Sequence, residues 1–335
     1  VVSKLFAAEG SNAWYIKEAD EILPAGFECP HCKGKNIYKE TDTLDGWFDS
    51  GSSHRASLEK NNPDQWPADL YLEGADQYRG WFQSSMLTAV ATRGKAPYKQ
   101  VLTHGWVVDG EGKKMSKSLG NVVLPEDVIK EYGADVLRLW VASSDYRVDV
   151  RVSKEIFKQL SQAYLKIRNT SRYILGNLNG FDPDTDMLSY DKLTELDRWA
   201  LMRLNQLVRR VKQSYEDYEY HIVYHSIHNF CVVDMSNFYL DVIKDRLYCD
   251  SADGASRRAA QTTIYIILDS LVRMIAPILA FTSDEIWHAM PHRKEDDARH
   301  VVYNKMPDAK PEYDFNETLT DKWNKIVTLR DGVNG

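Results

Sequence analysis

Over roughly the first 150 residues, short apolar runs alternate with glycine-bounded polar turns; beyond Val152 glycine is rare and apolar positions recur at steps of three and four. The first pattern predicts short strands and helices separated by exposed loops, and the second predicts a helical bundle. In the first half, Asp69-Leu70-Tyr71-Leu72 reads as a strand that runs into a glycine turn, followed by helical spacing at Phe82, Met86, Leu87 and Val90. Gln100 to Thr103 reads as a further strand. Val122 to Trp140 reads as a strand, a turn and a helix opened by Pro125-Glu126-Asp127. Before these, residues 1–27 predict short helices interrupted at Gly10-Ser11-Asn12 and ended ahead of Pro24-Ala25-Gly26. In the second half, Leu193, Leu196, Ala200, Leu204, Leu207, Val211, Tyr215 and Tyr218 mark one face of a long helix. Tyr220 to Tyr248 is apolar on more than one side and predicts a central helix. Ala259 to Met290 continues the bundle, with Pro277 expected to kink it near Arg273 to Ala276. The charged, proline-spaced stretch from His292 to Glu317 predicts a long surface connection before a last helix near Leu319 to Val327.

Composition narrows the setting. A length of 335 residues suits about two domains, and 43% hydrophobic with 27% charged residues is an ordinary globular balance. No apolar run reaches the ~18–20 residues of a membrane span, and Val1-Val2-Ser3-Lys4 has no signal-peptide anatomy, so a cytoplasmic protein without membrane contact is expected. A start without methionine, in the middle of a segment, suggests a piece of a longer chain. Net charge is −7, so any contact with a nucleic acid must be local. One stretch supplies a local excess: Arg151, Lys154, Lys158, Lys166, Arg168 and Arg172 face Glu155 alone.

Four cysteines in a chain of this length do not make a disulfide framework. Cys29-Pro30-His31-Cys32, closed by Gly34, has the spacing of two thiolates on one side of a tetrahedral zinc. His31 lies inside that turn, and Cys231 and Cys249 lie far off in helical context. A half-site completed from upstream of Val1, a complete site and a pair of reduced surface thiols all stay open. His221, His225 and His228 can share a helix face, yet no carboxylate or cysteine nearby completes a ligand set, which favours ordinary packing.

The chemistry concentrates in Gly110-Glu111-Gly112-Lys113-Lys114-Met115-Ser116-Lys117-Ser118-Leu119-Gly120-Asn121. Glycines on both sides free the backbone of a loop whose lysines can meet negative charge developing on a phosphate. Upstream, Glu73, Gly74, Asp76 and Gln77 fall at the carboxyl end of the first strand, where open α/β sheets gather ligands. Their carboxylates and amide suit an amine and sugar hydroxyls, and Trp47 and Trp81 can make an apolar slot.

Asp42 to Gly51 (DTLDGWFDSG), Tyr71 to Trp81 (YLEGADQYRGW), Leu102 to Trp106 (LTHGW), Lys114 to Asn121 (KMSKSLGN) and Gly133 to Tyr146 (GADVLRLWVASSDY) together resemble the class I aminoacyl-tRNA synthetases, specifically their bacterial isoleucyl group. The likeness continues through Lys166 to Thr170, Phe238 to Arg246 and Ala276 to Leu279. It implies an α/β half of a Rossmann-type catalytic domain followed by an all-α helical bundle of the anticodon-binding type. It divides the chain into a tail of an upstream insertion (residues 1–40), the second half of the nucleotide-binding domain (41–145) and the tRNA-binding bundle (146–335). The implied activity is isoleucine–tRNA ligation, with ATP, Mg2+, isoleucine and tRNA(Ile) as partners and a monomer as the working state. By the same resemblance Glu73, Gly74, Asp76 and Gln77 hold the aminoacyl-adenylate, Trp47 and Trp81 wall the isoleucine pocket, and His104 and Gly105 lie along the adenosine. Lys114, Ser116, Lys117 and Ser118 hold the ATP phosphates, the two lysines acting catalytically, and Lys166, Arg168 and Arg172 contact tRNA. A valyl-type enzyme is disfavoured by Asp76-Gln77, and a non-catalytic RNA-binding module by the intact lysine loop with Glu73. Gly46 departs from the valine usual in the group and is expected to loosen a strand beside Trp47. The His-x-Gly-His type of motif that such a site also needs is missing from the sequence, so the chain alone is expected to lack activity.

Overall fold

The computed structural model describes residues 1–334 and divides into two compact units, residues 1–102 and residues 103 onward. The first unit begins with three short helices, α1 (Val2–Glu9), α2 (Ala13–Ile16) and α3 (Ala19–Ile22). Its ordered centre consists of α4 (Gly46–Gly51), β1 (Ala68–Gly74), α5 (Trp81–Arg93) and β2 (Tyr98–His104), with β1 and β2 paired as a two-stranded sheet. Gly51 sets how closely two of these elements pack. A Cβ on Gly51 would meet the Ser84 carbonyl carbon at 2.7 Å, so the backbones of α4 and α5 touch only because no side chain stands there. The segment beside Trp47 is a helix, which corrects the expected strand. Asp45 caps it by accepting the Trp47 N–H at 2.7 Å, and Gly46 is merely its first residue.

In the second unit, β3 (Val107–Asp109) runs parallel to β4 (Val150–Val152), with Val107 opposite Val150 and Asp109 opposite Val152. The apolar run from Val101 is therefore interrupted at Gly105, where a Cβ would lie 2.5 Å from the Val148 carbonyl carbon. Between these strands lie α6 (Pro125–Tyr132) and α7 (Ala134–Ser143); the strand expected at Val122 is not formed, and residues 121–124 are irregular chain leading into Pro125. Pro125 needs no N–H at the first helical position and drives the preceding residue out of helical geometry, which explains the correction.

The bundle comprises α8 (Lys154–Asn177), α9 (Glu195–Glu216), α10 (Tyr220–Asn229), a wide i→i+5 segment from Phe230 to Tyr239, α11 (Leu240–Val242), α12 (Lys244–Tyr248), α13 (Ala255–Ile275), α14 (Ala280–Ala289) and α15 (Glu317–Asn334). The start of α9 is a capping box in which Thr194 and Asp197 satisfy each other's backbone N–H groups. Ala200, Leu204, Leu207 and Val211 are buried along α9, as their spacing predicts. The expected central helix is instead widened in the middle and broken at Ile243. Pro277 ends α13 rather than kinking it, because its ring removes a helical N–H. In the turn between α13 and α14, the carbonyls of Pro277 and Ile278 accept hydrogen bonds from Arg138 of α7 at 2.7 and 2.9 Å. The stretch 292–317 is no loose connection: Val301 and Tyr313 are buried, and Asn205 holds Lys310 in both directions at 2.7 and 2.9 Å. The last helix is longer than expected, opening at Glu317.

Candidate functional site

The site residues divide between the two units. In the first, β1 carries Glu73 and Gly74 at its carboxyl end, and the 3-10 turn from Ala75 to Arg79 places Asp76 and Gln77 directly after it. Trp81 opens α5, where it stacks on the buried Tyr71 at 4.2 Å between ring centroids with planes 9° apart. Its indole N–H donates to the Ser50 carbonyl at 3.0 Å, and its amide donates to Gln77 Oε1 at 2.8 Å. Gln77 is thereby locked against the first turn of α5. Gly80 is what permits this: a Cβ there would meet Gln77 Oε1 at 2.5 Å and the Trp47 ring at 2.9 Å. The result is an open hollow of 360 Å³ lined by Trp47, Ser50, Ser53, Glu73, Gln77 and Trp81. Two indoles form its apolar sides, and a carboxylate and an amide supply orienting groups. Trp47 is half exposed at 49%, so the hollow is open toward solvent. Asp76 stands at its edge, 3.4 Å from the Gln77 amide nitrogen, and is exposed.

The lysine loop belongs to the second unit. His104, half-buried, has Nδ1 2.8 Å from the Gly105 carbonyl, just ahead of β3. The loop that follows is exposed but closely hydrogen-bonded. Asp109, the last residue of β3, accepts the N–H groups of Glu111 and Lys113 at 3.0 and 2.8 Å through Oδ1, and the Asn121 amide at 2.8 Å through Oδ2. These donors, Asn121 first, hold the Asp109 carboxyl below the usual carboxylate range. Asn121 in turn accepts the Ser116 N–H at 2.9 Å, tying the far end of the loop to its start. Ser116 Oγ lies 3.0 Å from Ser118 Oγ and caps the 3-10 turn from Lys117 to Leu119. Gly112 and Gly120 take φ of 84° and 65°, left-handed values that side-chained residues resist. Met115 packs onto the core of the bundle, fixing the loop between its two lysines. Lys113 pairs with Glu111, whereas Lys114 and Lys117 are exposed and have no ion-pair partner among the described residues. The arrangement is a hydrogen-bonded loop that presents two ammonium groups with no ion-pair partner among the described residues.

Sequence reasoning gave no role to Asp109, Gly80 or Tyr71, and quoted Asn121 only as the end of the loop. Asp109 had a readable signal, since an aspartate at the head of a glycine turn commonly accepts N–H groups two and four residues on. The ring stack of Tyr71 on Trp81 had none.

On α8, Lys154, Lys158, Arg168 and Arg172 fall within roughly 80° of arc by the 3.6-residue period and are all exposed. Lys166 lies to one side, close enough to His228 to disfavour its protonation. His225 and His228 are held below the usual imidazole range, mainly by burial. His225 shares a hollow with Arg203, Arg210 and Asn229. In the first unit, Cys29 and Cys32 stand together in a tight turn closed by Cys29 N–H donating to the Gly34 carbonyl at 2.9 Å. The backbone N–H groups of Cys32 and His31 lower the Cys29 thiol below its usual range, and no third Cys, His or carboxylate groups with the pair among the described residues. Cys231 is buried and its thiol is pushed up to about 12. No described helix is long and apolar enough to cross a membrane.

Residues 1–153 match the family described as tRNA synthetases class I (I, L, M and V), and residues 197–334 match the anticodon-binding domain of tRNA ligase. The chain is 58% identical over 332 residues to an isoleucine–tRNA ligase of Caldanaerobacter subterraneus subsp. tengcongensis, covering 99% of this chain and 35% of that one. It is 56% identical to the isoleucine–tRNA ligase of Syntrophomonas wolfei subsp. wolfei, covering 99% of this chain and 36% of the relative. The chain thus spans about a third of the length of the relatives it matches. A leucyl-tRNA synthetase of Agrobacterium radiobacter K84, in a ternary complex with tRNA and LeuAMS, has a similar fold, with TM-score 0.70 at 20% identity over 87% of this chain and 36% of that chain. A Mycobacterium tuberculosis methionyl-tRNA synthetase in complex with methionyl-adenylate aligns with TM-score 0.59 at 20% identity over 72% of this chain and 49% of that one. Two family matches that cover the lysine loop and the bundle, with isoleucine–tRNA ligases similar along almost every residue, mean that the chain belongs to the class I tRNA synthetases, among the isoleucine group.

Proposed function

We propose that this chain is part of an enzyme that joins isoleucine to tRNA(Ile), activating the amino acid with ATP as its magnesium complex. The observation that carries the reading is the lysine loop: Lys114 and Lys117 are held on a hydrogen-bonded scaffold with no carboxylate paired to them among the described residues. Unpaired, preorganised cations are what a phosphate bearing more charge in the transition state requires. In this reading the hollow of Trp47, Ser50, Ser53, Glu73, Gln77 and Trp81 takes the aminoacyl-adenylate. Glu73 meets the ammonium, Asp76 and Gln77 orient polar groups, Gly74 lets the ligand approach the backbone, and the indoles flank the aliphatic side chain. His104 and Gly105 follow the adenosine, and Ser116 and Ser118 fix the loop that holds the phosphates. The working division is residues 1–40 as the tail of an inserted module, 41–145 as catalytic and 146–335 as the tRNA-binding bundle. Its α8 stripe, with Arg168 and Arg172 and with Lys166 beside it, meets the tRNA backbone. Cys29 and Cys32 fit one half of a tetrahedral zinc site, since their thiols share one turn and backbone N–H groups favour a thiolate. A monomer in the cytoplasm completes the reading.

The test is ATP–pyrophosphate exchange with isoleucine, valine and leucine, using the chain completed to the length of its relatives. Exchange should be greatest with isoleucine. Equal or greater exchange with valine would overturn the isoleucine assignment.

A further inference from the structure

At the C-terminal end of α14, three metal-ligating side chains from two parts of the chain converge. Asp284 and His288 are four residues apart on one face of the helix, and His300 arrives from the following turn. One ligand atom from each lies within 4.8 Å of the others. The geometry points to a site for a single divalent transition metal of the zinc type, bound by two imidazoles and one carboxylate, with water in the remaining position.

The distances suit such an ion. Asp284 Oδ2 lies 2.9 Å from His300 Nδ1 and 3.7 Å from His288 Nδ1. These values bracket the ligand-to-ligand edge of about 3.3 Å that bonds of ~2.0–2.1 Å give in a tetrahedron. The ion would take the place of the 2.9 Å contact between Asp284 Oδ2 and His300 Nδ1, and the His288 ring would give up its 2.8 Å contact with the Asp284 carbonyl.

The carboxylate is already oriented. Its other oxygen, Oδ1, accepts the Val301 N–H at 3.1 Å, which leaves Oδ2 facing the two imidazoles. The turn that delivers His300 is closed by Asn304, whose Oδ1 accepts the Asp297 N–H at 2.9 Å and whose amide donates to the Asp297 carbonyl at 2.9 Å and the His300 carbonyl at 3.1 Å. That turn is fastened to α14 by the buried Trp287, whose indole donates to the Asp297 carbonyl at 3.2 Å. His288 sits in the last turn of α14, where the helix carbonyls favour a cation. Both imidazoles are exposed, so an ion can enter from solvent without rearrangement of the core. Imidazole with one carboxylate selects zinc and its neighbours over magnesium and calcium, which demand oxygen ligands. Bound there, the ion clips the 292–303 segment to α14.

The knuckle thiols compete for the same metals, so the test uses the tag-free chain carrying Cys29→Ser and Cys32→Ser. Titration with Co2+, followed by its visible d–d bands, should show one saturable equivalent with no sulfur charge-transfer band, and Zn2+ should displace it. His300→Gln should weaken binding at least about tenfold, and His288→Gln with His300→Gln should abolish it. Zn2+ should also raise the thermal midpoint of the parent and not that of the double variant. Circular dichroism in chelator checks that both proteins fold alike. Unaltered binding in the double variant, a sulfur charge-transfer band or no saturable binding would overturn the site.

Discussion

The bundle and the lysine loop treat charge in opposite ways. In the bundle, Asp197 is fully buried and fully met: Arg246 donates to its two oxygens at 2.8 Å each, and the Tyr239 hydroxyl donates at 2.7 Å. Burial beside that carboxylate pushes the Tyr239 phenol well above its usual range, which keeps it a donor. Arg273 likewise binds Asp269 and Asp296 in a buried group. In the loop, polar side chains bond the backbone, and Lys114 and Lys117 are exposed with no ion-pair partner among the described residues. A buried charge has to be neutralised locally because water cannot reach it. An exposed charge is free to wait for a ligand. Under the proposed function, Lys114 and Lys117 are the exposed cations that wait for a phosphate supplied by the ligand.

The sharpest break of this comparison comes from Arg246→Met. The side chain keeps its length and loses its charge, stranding Asp197 in the core, and urea unfolding should register a loss of about 3–5 kcal/mol. A loss under about 1 kcal/mol would put this pair in the class of exposed ion pairs. Lys117→Ala should behave oppositely, leaving the unfolding midpoint unchanged. In the completed enzyme it should slow isoleucine-dependent exchange by roughly 10²–10³ at saturating ATP, in keeping with the removal of one well-placed donor. If saturating ATP restores the rate, Lys117 acts in ground-state binding alone. Asn121→Ala sharpens the distinction because it removes no charge. Loss of its hydrogen bonds to Asp109 and Ser116 should cost about tenfold in the same rate, near 1–1.5 kcal/mol, through misplacement of the lysines. An Asn121→Asp change that retained full activity would show that the scaffold is more tolerant than these distances imply.

Chain order and residue spacing were enough to recognise the class of fold, the lysine loop and the bundle, because each is local. A glycine-bounded lysine run, a strand ending in Glu73-Gly74 and the period of α9 are written in neighbouring residues. The places where expectation failed are those settled by distant partners. The helix that begins at Gly46 ends at Gly51, whose missing side chain lets it press on Ser84 of α5. Helix α13 ends before Pro277 rather than bending, and the turn that follows is held by Arg138 of α7 donating to the Pro277 and Ile278 carbonyls. The stretch 292–317, polar in composition, is ordered by the buried Val301 and Tyr313 and by Asn205. Residue types showed which chemistry the chain could offer: cations that suit phosphate, indoles that suit an apolar side chain and thiols that suit a metal. Only tertiary structure decided which of those groups stand free, since pairing depends on three-dimensional neighbours. Thus Lys113 is taken by Glu111 while Lys114 and Lys117 remain open, and His288 and His300, 12 positions apart, meet at one carboxylate.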